Sequence, residues 1–117
     1  MNSLRKLATL VIWTVSVLVG AGAVHGQLPQ FEGVELTIVP VAGNVYMVSR
    51  PGGGGNIGVF AGPEGVLLVD SLFAPLSDRL VAAVKQVSDS EIRFLINTHV
   101  HIDHIGGNEN LAEMGVL

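Results

Sequence analysis

The sequence predicts a mixed α/β domain of the α+β type, in which a series of antiparallel strands precedes a helix and one further strand. Short β-branched segments separated by Gly- and Pro-containing turns occupy residues 34–69. An amphipathic helical pattern follows from Pro75, and the apolar segment Ile92–Ile96 stands directly before a cluster of histidines. With 117 residues, 49% of them apolar and 14% charged, the chain can form one small core and is unlike a disordered segment.

The N-terminal segment has the features of a secretory signal peptide. Arg5 and Lys6 precede an uncharged apolar stretch, Leu7–Val24, and the small residues Ala23 and Gly26 offer sites for cleavage. The alternative is an uncleaved membrane anchor, because about 18 apolar residues reach the lower limit for a spanning helix. We therefore expect a signal peptide over residues 1–26.

Composition limits the partners of the remaining chain, residues 27–117. Removal of Arg5 and Lys6 with the signal peptide changes the formal charge from −4 to −6. An acidic chain is poorly suited to a phosphate backbone, so we expect a small-molecule substrate and no nucleic acid. The chain has no cysteine and can form no disulfide. The mature protein is expected to be periplasmic or secreted, without stable membrane association once the signal peptide is cleaved.

Four short strands are predicted before the helix. Their β-branched residues and the Gly, Pro and Asn residues between them define the bounds Val34–Pro40, Val45–Ser49, Ile57–Ala61 and Val66–Val69. The Gly-rich loop Arg50–Gly55 is expected simply to turn the chain, with the alternative that it flanks a substrate cleft. Gly62-Pro63-Glu64-Gly65 suits a tight hairpin turn.

The second half of the domain is predicted to contain two helices and a strand. The first helix carries apolar residues at helical spacing on one face, at Leu76, Leu80, Val81, Val84 and Val87. A buried strand is expected at Ile92–Ile96. Gly106-Gly107 should let the backbone turn sharply, with Asn108 as the candidate cap of a last helix over residues 109–114.

Four potential metal ligands, His99, His101, Asp103 and His104, lie at the C-terminal end of the predicted strand, where ligands cluster in α/β sheets. Imidazole nitrogens and carboxylate oxygens are donors that Zn²⁺ accepts, and zinc lowers the pKa of a bound water to roughly 7. A strand-to-helix turn can direct His99 and His101 to one ion and the other two residues to a second ion about 3.5–4 Å away. The alternative is a polar surface turn or an adventitious metal site.

Two protein ligands leave a catalytic zinc incomplete, because such an ion commonly has three protein ligands and one open position. After removal of the signal peptide, every remaining histidine belongs to the cluster. The missing ligands are therefore expected from sequence beyond Leu117 or from another chain.

The segment from Asn97 to Asn108, Asn-Thr-His-Val-His-Ile-Asp-His-Ile-Gly-Gly-Asn, resembles the signature of the metallo-β-lactamase-fold superfamily. The order of Gly65–Ser71, the helix and the next strand is also similar, so the resemblance covers roughly Val34 to Leu117. It implies an αββα metallo-β-lactamase sandwich with two Zn²⁺ ions per complete domain. Only the N-terminal half of this sandwich is expected here, because the family's later histidines and bridging aspartate have no counterparts in the chain.

The resemblance also assigns roles to individual residues. It implies that His99, His101, Asp103 and His104 are metal ligands and that Asp70 is a supporting residue near the metals. For Asp70 the alternative is a turn former that closes a strand by bonding nearby backbone amides. Asp103 is the expected catalytic residue, which orients the attacking water or accepts its proton.

We therefore expect an exported zinc-dependent metallo-hydrolase, β-lactamase-like, in which a metal-bound hydroxide attacks a carbonyl or ester-type centre. Three alternatives remain open. They are a thioester hydrolase of the glyoxalase II type, an iron-dependent redox member of the superfamily, and an inactive metal-binding fragment.

We predict that export removes the N-terminus, because the charged start, the apolar stretch and the small residues together fit a signal peptidase substrate. Mass spectrometry of the secreted or periplasmic protein should show a new terminus at Val24 or Gln27. Intact Met1 in the membrane fraction would instead support the anchor.

Overall fold

The computed structural model describes residues 29–117, and the predicted signal peptide lies outside this range. The described residues form one five-stranded sheet with three helices. The strands are β1 (Thr37–Ala42), β2 (Val45–Ser49), β3 (Ile57–Gly62), β4 (Gly65–Val69) and β5 (Ile92–Ile96). The helices are α1 (Ser77–Val84), α2 (Ile102–Ile105) and α3 (Asn108–Glu113), and 3₁₀ turns occur at Pro29–Phe31 and Ala74–Leu76. Over residues 29–117, no helix is long and apolar enough to cross a membrane.

The sheet has the order β1-β2-β3-β4-β5, with β1 to β4 paired as an antiparallel meander. β5 pairs with β4 in parallel, with Leu68 opposite Leu95 and Val69 opposite Ile96. A parallel pair needs a crossover connection, and α1 provides it. The predicted mixed α/β class is therefore confirmed, as are the strands at β2 to β5.

The predicted start of the first strand is wrong. The sequence pattern places it at Val34, whereas β1 begins at Thr37, which pairs with Ser49. β2 ends at Ser49, so the residues before Thr37 have no partner in that strand. Val34 and Leu36 instead pack against the core. Pro40 is accommodated because β1 is an edge strand.

The core lies between one face of the sheet and α1. From the sheet it contains Ile57, Val59, Val66 and Leu68, and from the helical segment Leu76, Leu80 and Val84, each at most 1% exposed. The predicted apolar face is thus correct at Leu80 and Val84, with Val81 partly buried beside it. The predicted extent of the helix is wrong at its end, because α1 stops at Val84 and Val87 lies in the turn that follows. Full burial of one such side chain contributes about 1.5–3 kcal/mol, so this face holds the crossover against the sheet.

The prediction that β5 is a buried strand is wrong in one respect. Its bounds are as expected, but Phe94 and Leu95 are only half-buried and Ile96 is 55% exposed. In the described part of the chain, β5 is the last strand of the sheet, and only the backbone of Leu117 bonds along its outer edge, to Arg93 and Leu95.

The second face of the sheet is apolar and exposed. It presents Val39, Val45, Phe60 and Ile96, which are 36%, 38%, 42% and 55% exposed. The first three lie on the neighbouring strands β1, β2 and β3, with Val45 opposite Phe60, and Ile96 lies at the end of β5. The described residues therefore form one sheet with helices on a single face, as expected for half of an αββα sandwich.

The turn before α3 differs from the prediction. Gly106 and Gly107 have ordinary helical angles, with φ of −60° and −85°, so neither glycine is needed for a sharp turn. They are needed for space, because a Cβ on Gly107 would lie 2.3 Å from the Ser71 carbonyl oxygen. Asn108 is not a cap; it is the first residue of α3 and follows the N-cap Gly107.

We predict that Gly107→Ala destabilises the fold. The added methyl group must displace the Ser71 backbone, and overpacking of this kind costs about 1–3 kcal/mol. Urea unfolding would measure the loss. Glu113→Ala, an exposed change in the same helix, is the control and should leave the urea midpoint almost unchanged. Equal stability of the two variants would contradict the close contact.

We also predict that the exposed sheet face makes the isolated chain self-associate, because contiguous exposed apolar surface favours aggregation. Phe60→Thr and Ile96→Thr should reduce self-association in sedimentation velocity without loss of folded structure. Val59→Thr, a neighbouring change on the opposite face, should destabilise the chain instead, since Val59 is 1% exposed. An unchanged sedimentation profile for the two exposed-face variants would argue against this explanation.

Candidate metal centre

The four predicted ligands lie on the segment that connects β5 to α3, and they divide into two backbone environments. His99 and His101 precede α2, where the backbone is extended at His101, with φ −68° and ψ 145°. Asp103 and His104 lie within the first turn of α2. The first two side chains are exposed and the last two partly buried. Because the backbone changes from extended to helical, the side chains of the two pairs leave it in different directions.

Within each pair, two potential donor atoms lie close together. His99 Nε2 is 3.1 Å from His101 Nδ1, and His104 Nε2 is 3.4 Å from the nearer carboxylate oxygen of Asp103, Oδ2. In tetrahedral coordination, two donors that are each about 2.0–2.1 Å from a zinc ion are about 3.3 Å apart. Both separations are therefore suited to a shared cation, and the nitrogen and oxygen donors match those of zinc sites.

The two pairs are neighbours, because the rings of His99 and His104 are 4.0 Å apart between centroids. In the part of the chain that the structure describes, no three His, Asp or Glu side chains are grouped to hold one metal ion. The structure thus brings the four predicted residues together as two adjacent pairs.

Asp70, the predicted supporting residue, lies directly behind His104 and is 2% exposed. Its Oδ2 atom is 2.7 Å from His104 Nδ1. The backbone N–H of Thr98 donates to Oδ1 and the Thr98 hydroxyl donates to Oδ2, each at 2.7 Å. The same residue closes β4, so its turn-forming position and its contact with a histidine occur together.

Asp70 is held in its charged form. Burial by itself raises the pKa of this carboxyl, but the hydrogen bonds from the Thr98 amide, His104 and the Thr98 hydroxyl outweigh it and lower the pKa below the ordinary value of 3.8. The resulting stabilisation is present above the unfolded-state pKa and is lost as the pH falls through the folded-state pKa. At neutral pH, Asp70 is therefore a buried carboxylate that only accepts hydrogen bonds.

This charge state determines which ring nitrogens carry protons. Because ionised Asp70 only accepts, His104 Nδ1 must donate to it, which in the neutral imidazole leaves the lone pair on Nε2. The single proton of the Thr98 hydroxyl goes to Asp70, so the hydroxyl accepts from His99 Nδ1 at 2.9 Å. His99 likewise has its lone pair on Nε2. Both lone pairs are on the atoms of the close pairs.

The turn after β4 has an unusual backbone. Asp70 and Leu72 have φ values of 71° and 58°, a left-handed conformation that non-glycine residues rarely adopt. Such positions cost on the order of 1–3 kcal/mol each and persist only where the surroundings enforce them. Here the Ser71 N–H donates to the His104 carbonyl at 2.8 Å, and the Gly107 N–H donates to the Leu72 carbonyl at 3.0 Å. The strained turn and the histidine segment thus hold each other in place.

The Gly-rich loop between β2 and β3 approaches the same segment. A Cβ on Gly55 would lie 2.8 Å from both the Asp103 carbonyl oxygen and the His104 ring, so only glycine fits there. Arg50 fixes the start of this loop, with its Nε donating to the Gly53 carbonyl at 2.6 Å. The loop therefore packs directly against the Asp103 backbone and the His104 ring.

Arg50 also lies over two aromatic rings, with its guanidinium carbon 5.6 Å from the centroid of Phe31 and 5.4 Å from that of Phe73. Sequence reasoning overlooked Arg50, together with Thr98 and Asn97, which hydrogen bonds to the His104 carbonyl. Thr98 and Asn97 adjoin the histidine motif, and this proximity was the available signal. Nothing in the sequence indicated the aromatic contacts of Arg50.

His99 and His101 are exposed, whereas Asp103 and His104 are half-buried. A cleft of about 460 Å³ lies elsewhere, between the end of α1, β5 and the residues after α3, and it is lined by Val84, Arg93 and Leu117 among others. None of the four predicted ligands lines that cleft.

Comparison with known structures reveals the same fold in larger proteins. A B3 metallo-beta-lactamase with an active-site glutamic acid is 25% identical, with a TM-score of 0.60 over 67% of this chain and 29% of its own. A beta-lactamase from Chitinophaga pinensis is 22% identical, with a TM-score of 0.63 over 71% of this chain and 31% of its own. A class B3 di-zinc metallo-beta-lactamase from an Alaskan soil metagenome is 17% identical, with a TM-score of 0.61 over 69% and 31%.

This chain thus spans about 30% of the length of these proteins. A search of the curated proteins gives no match. The sequence model of the metallo-beta-lactamase superfamily matches residues 50–115, which is more than half of the chain and includes the Gly-rich loop, Asp70 and the whole histidine motif. On this match and the shared fold, the chain belongs to the metallo-beta-lactamase superfamily.

Proposed function

We propose that this chain provides the histidine-rich metal-binding part of an exported, zinc-dependent hydrolase that acts on a carbonyl or ester-type centre. The observation that carries the proposal is the geometry of the two donor pairs. His99 and His101 form one pair, Asp103 and His104 form the other, and their donor separations of 3.1 and 3.4 Å suit two adjacent cations. Membership in the superfamily supports a metallo-hydrolase.

The donor set fits zinc. Three imidazoles and one carboxylate are ligands of the kind that this borderline-soft ion takes, whereas a set richer in oxygen would favour iron or manganese. When bound, zinc supplies Lewis acidity and a water acidic enough to ionise near pH 7. Each pair supplies two ligands, so further ligands are proposed to come from outside residues 29–117.

Asp70 and Thr98 would act by preparing the histidines. Their hydrogen bonds fix the proton of His99 and of His104 on Nδ1, which leaves Nε2 free to bind a cation. Ligand histidines commonly donate their other N–H in this way, and the contact orients the ring and increases its basicity. The buried charge of Asp70, 2.7 Å from His104, would also help to balance the charge of a bound cation.

Asp103 is proposed as both a ligand and the acceptor of a proton. Its side chain is partly exposed at 28%, so a water molecule can reach the carboxylate from the open side of the motif. A carboxylate in this position can orient that water and accept its proton, which is the role of a general base. Its Oδ2 atom, 3.4 Å from His104 Nε2, belongs to the second donor pair, and its other oxygen would accept the proton.

A β-lactam is the proposed substrate class. The similar structures include class B3 metallo-beta-lactamases, and a protein exported to the periplasm would meet β-lactams there. A β-lactam is a cyclic amide, and its electrophilic carbonyl carbon is a reaction centre of the proposed kind.

We predict that Asp103→Asn lowers both the zinc content and the rate of hydrolysis of a chromogenic β-lactam in the full-length protein. The change preserves size but removes the charge that holds a cation and the base that accepts a proton. Positioned acid or base groups contribute about 10² to 10⁴-fold, so we expect a loss of kcat in that range or larger. The folded structure should persist, because Asp103 is not part of the core.

Glu109→Gln is the matched control, since Glu109 is an exposed acidic residue in the first turn of α3. It should change neither zinc content nor rate. Elemental analysis of both variants distinguishes loss of bound zinc from loss of the general base with zinc retained. Normal turnover and zinc content in Asp103→Asn, with both lost in Glu109→Gln, would refute the ligand assignment; iron in place of zinc would refute the choice of metal.

A further inference from the structure

We propose that Asn97 and Asn108 are positioning residues that fasten the two ends of the metal-binding segment together. β5 ends at Ile96 and α3 begins at Asn108, so these two asparagines flank all four proposed ligands. We call their paired amides the asparagine clasp. The inference rests on the proposed function for its link to zinc, but the clasp itself is a property of the chain without metal.

The two side-chain amides bond to each other in both directions. Asn108 Nδ2 donates to Asn97 Oδ1 at 2.7 Å, and Asn97 Nδ2 donates to Asn108 Oδ1 at 3.2 Å. A reciprocal amide pair fixes the orientation of both planes, which a single hydrogen bond does not. The residues are eleven positions apart, so the pair closes the intervening loop.

The clasp also bonds to the backbone of a proposed ligand. Asn97 Nδ2 has a second proton, which it donates to the His104 carbonyl at 3.2 Å. That carbonyl also accepts the Ser71 N–H at 2.8 Å. The position of His104 along the chain is therefore fixed from one side by the turn after β4 and from the other by Asn97.

Ser71 extends the clasp into the core. This residue is fully buried, and its hydroxyl donates to Asn108 Oδ1 at 2.7 Å. The same hydroxyl accepts the Gly107 N–H at 3.2 Å. Asn108 Oδ1 thus accepts two hydrogen bonds, one from the buried serine and one from Asn97, so the clasp is anchored rather than free at the surface.

The consequence for metal binding follows from entropy. Ordering a backbone residue costs conformational entropy, and a loop that is already closed has lost this freedom before the cation arrives. Outer groups that orient metal ligands typically affect affinity by about 10 to 100-fold. We therefore expect each asparagine to contribute at the lower end of that range.

The test is a double-mutant cycle in the full-length protein with Asn97→Ala, Asn108→Ala and both changes together. Zn²⁺ affinity is measured by competition with a chromophoric chelator. Each single change should weaken zinc binding about tenfold, and the double change should be little worse than one, since either removes the same reciprocal pair. Additive losses, or none, would overturn the clasp.

A second measurement uses no metal. Hydrogen exchange of the metal-free protein should quicken over residues 98–107 in each variant, while β1 to β3 and the urea midpoint stay nearly unchanged. If the alanine variants do not fold, Asn97→Asp is the milder probe. It keeps the oxygen that accepts from Asn108 but removes both bonds that Asn97 donates, and exchange in the segment should again quicken. Unaltered exchange would refute the proposal.

Asn110→Ala is the matched control. Asn110 also lies in α3, but its amide donates to the Ala74 carbonyl and the Ser77 hydroxyl, away from the metal-binding segment. Zinc affinity should be unchanged in this variant; an equal loss would show that anchoring of α3 in general, not the clasp, is responsible. Failure of the unaltered full-length protein to bind zinc would refute the proposed function, whereas hydrogen exchange would still decide the clasp.

Discussion

The hydrogen bonds of the buried Asp70 carboxylate are the interaction on which the rest of the site depends. Asp70 ends β4, and its three donors come from Thr98 and His104, which follow β5. The parallel pairing of the two strands brings these groups together, and the Asp70 N–H bonds to the Ile96 carbonyl at 2.7 Å. A buried charge is tolerable only with such partners, because an unpaired one costs several kcal/mol. The proton positions on the two histidines and the path of the segment therefore both depend on the hydrogen bonds of this carboxylate.

Much of the fold could be predicted because its signals are local. The turn residues after Ser49 and around Pro63 limit the strands, and the apolar spacing of Leu76, Leu80 and Val84 specifies which face of α1 is buried. The sequence pattern predicts the start of the first strand too early, because the pairing partner that determines this start, Ser49, lies in another strand. The half-exposed state of β5 likewise depends on what covers the strand and not on its own composition.

For the candidate site, the sequence indicated the four proposed ligands and their division into two pairs, but not the distances between them. Their roles stay predictions, whereas the donor separations within the pairs are a structural result. The contacts of Thr98 and Asn97 join residues up to 28 positions apart, and no periodic pattern encodes such contacts. The close approaches of Gly55 and Gly107 to neighbouring backbone are also long-range contacts that no periodic pattern encodes. Sequence reasoning moreover treats glycine chiefly as a turn former.

The left-handed turn at Asp70 and Leu72 couples local unfolding of the histidine segment to the packing of the core. Its backbone is unfavourable on its own, and it is maintained by bonds to the His104 carbonyl and the Gly107 amide. Leu72 is at the same time fully buried in the core. Local fluctuations that release the histidine segment would thus remove the support of a core residue. The segment and the end of β4 are consequently expected to behave as one cooperative unit, a foldon, instead of an independently mobile surface loop.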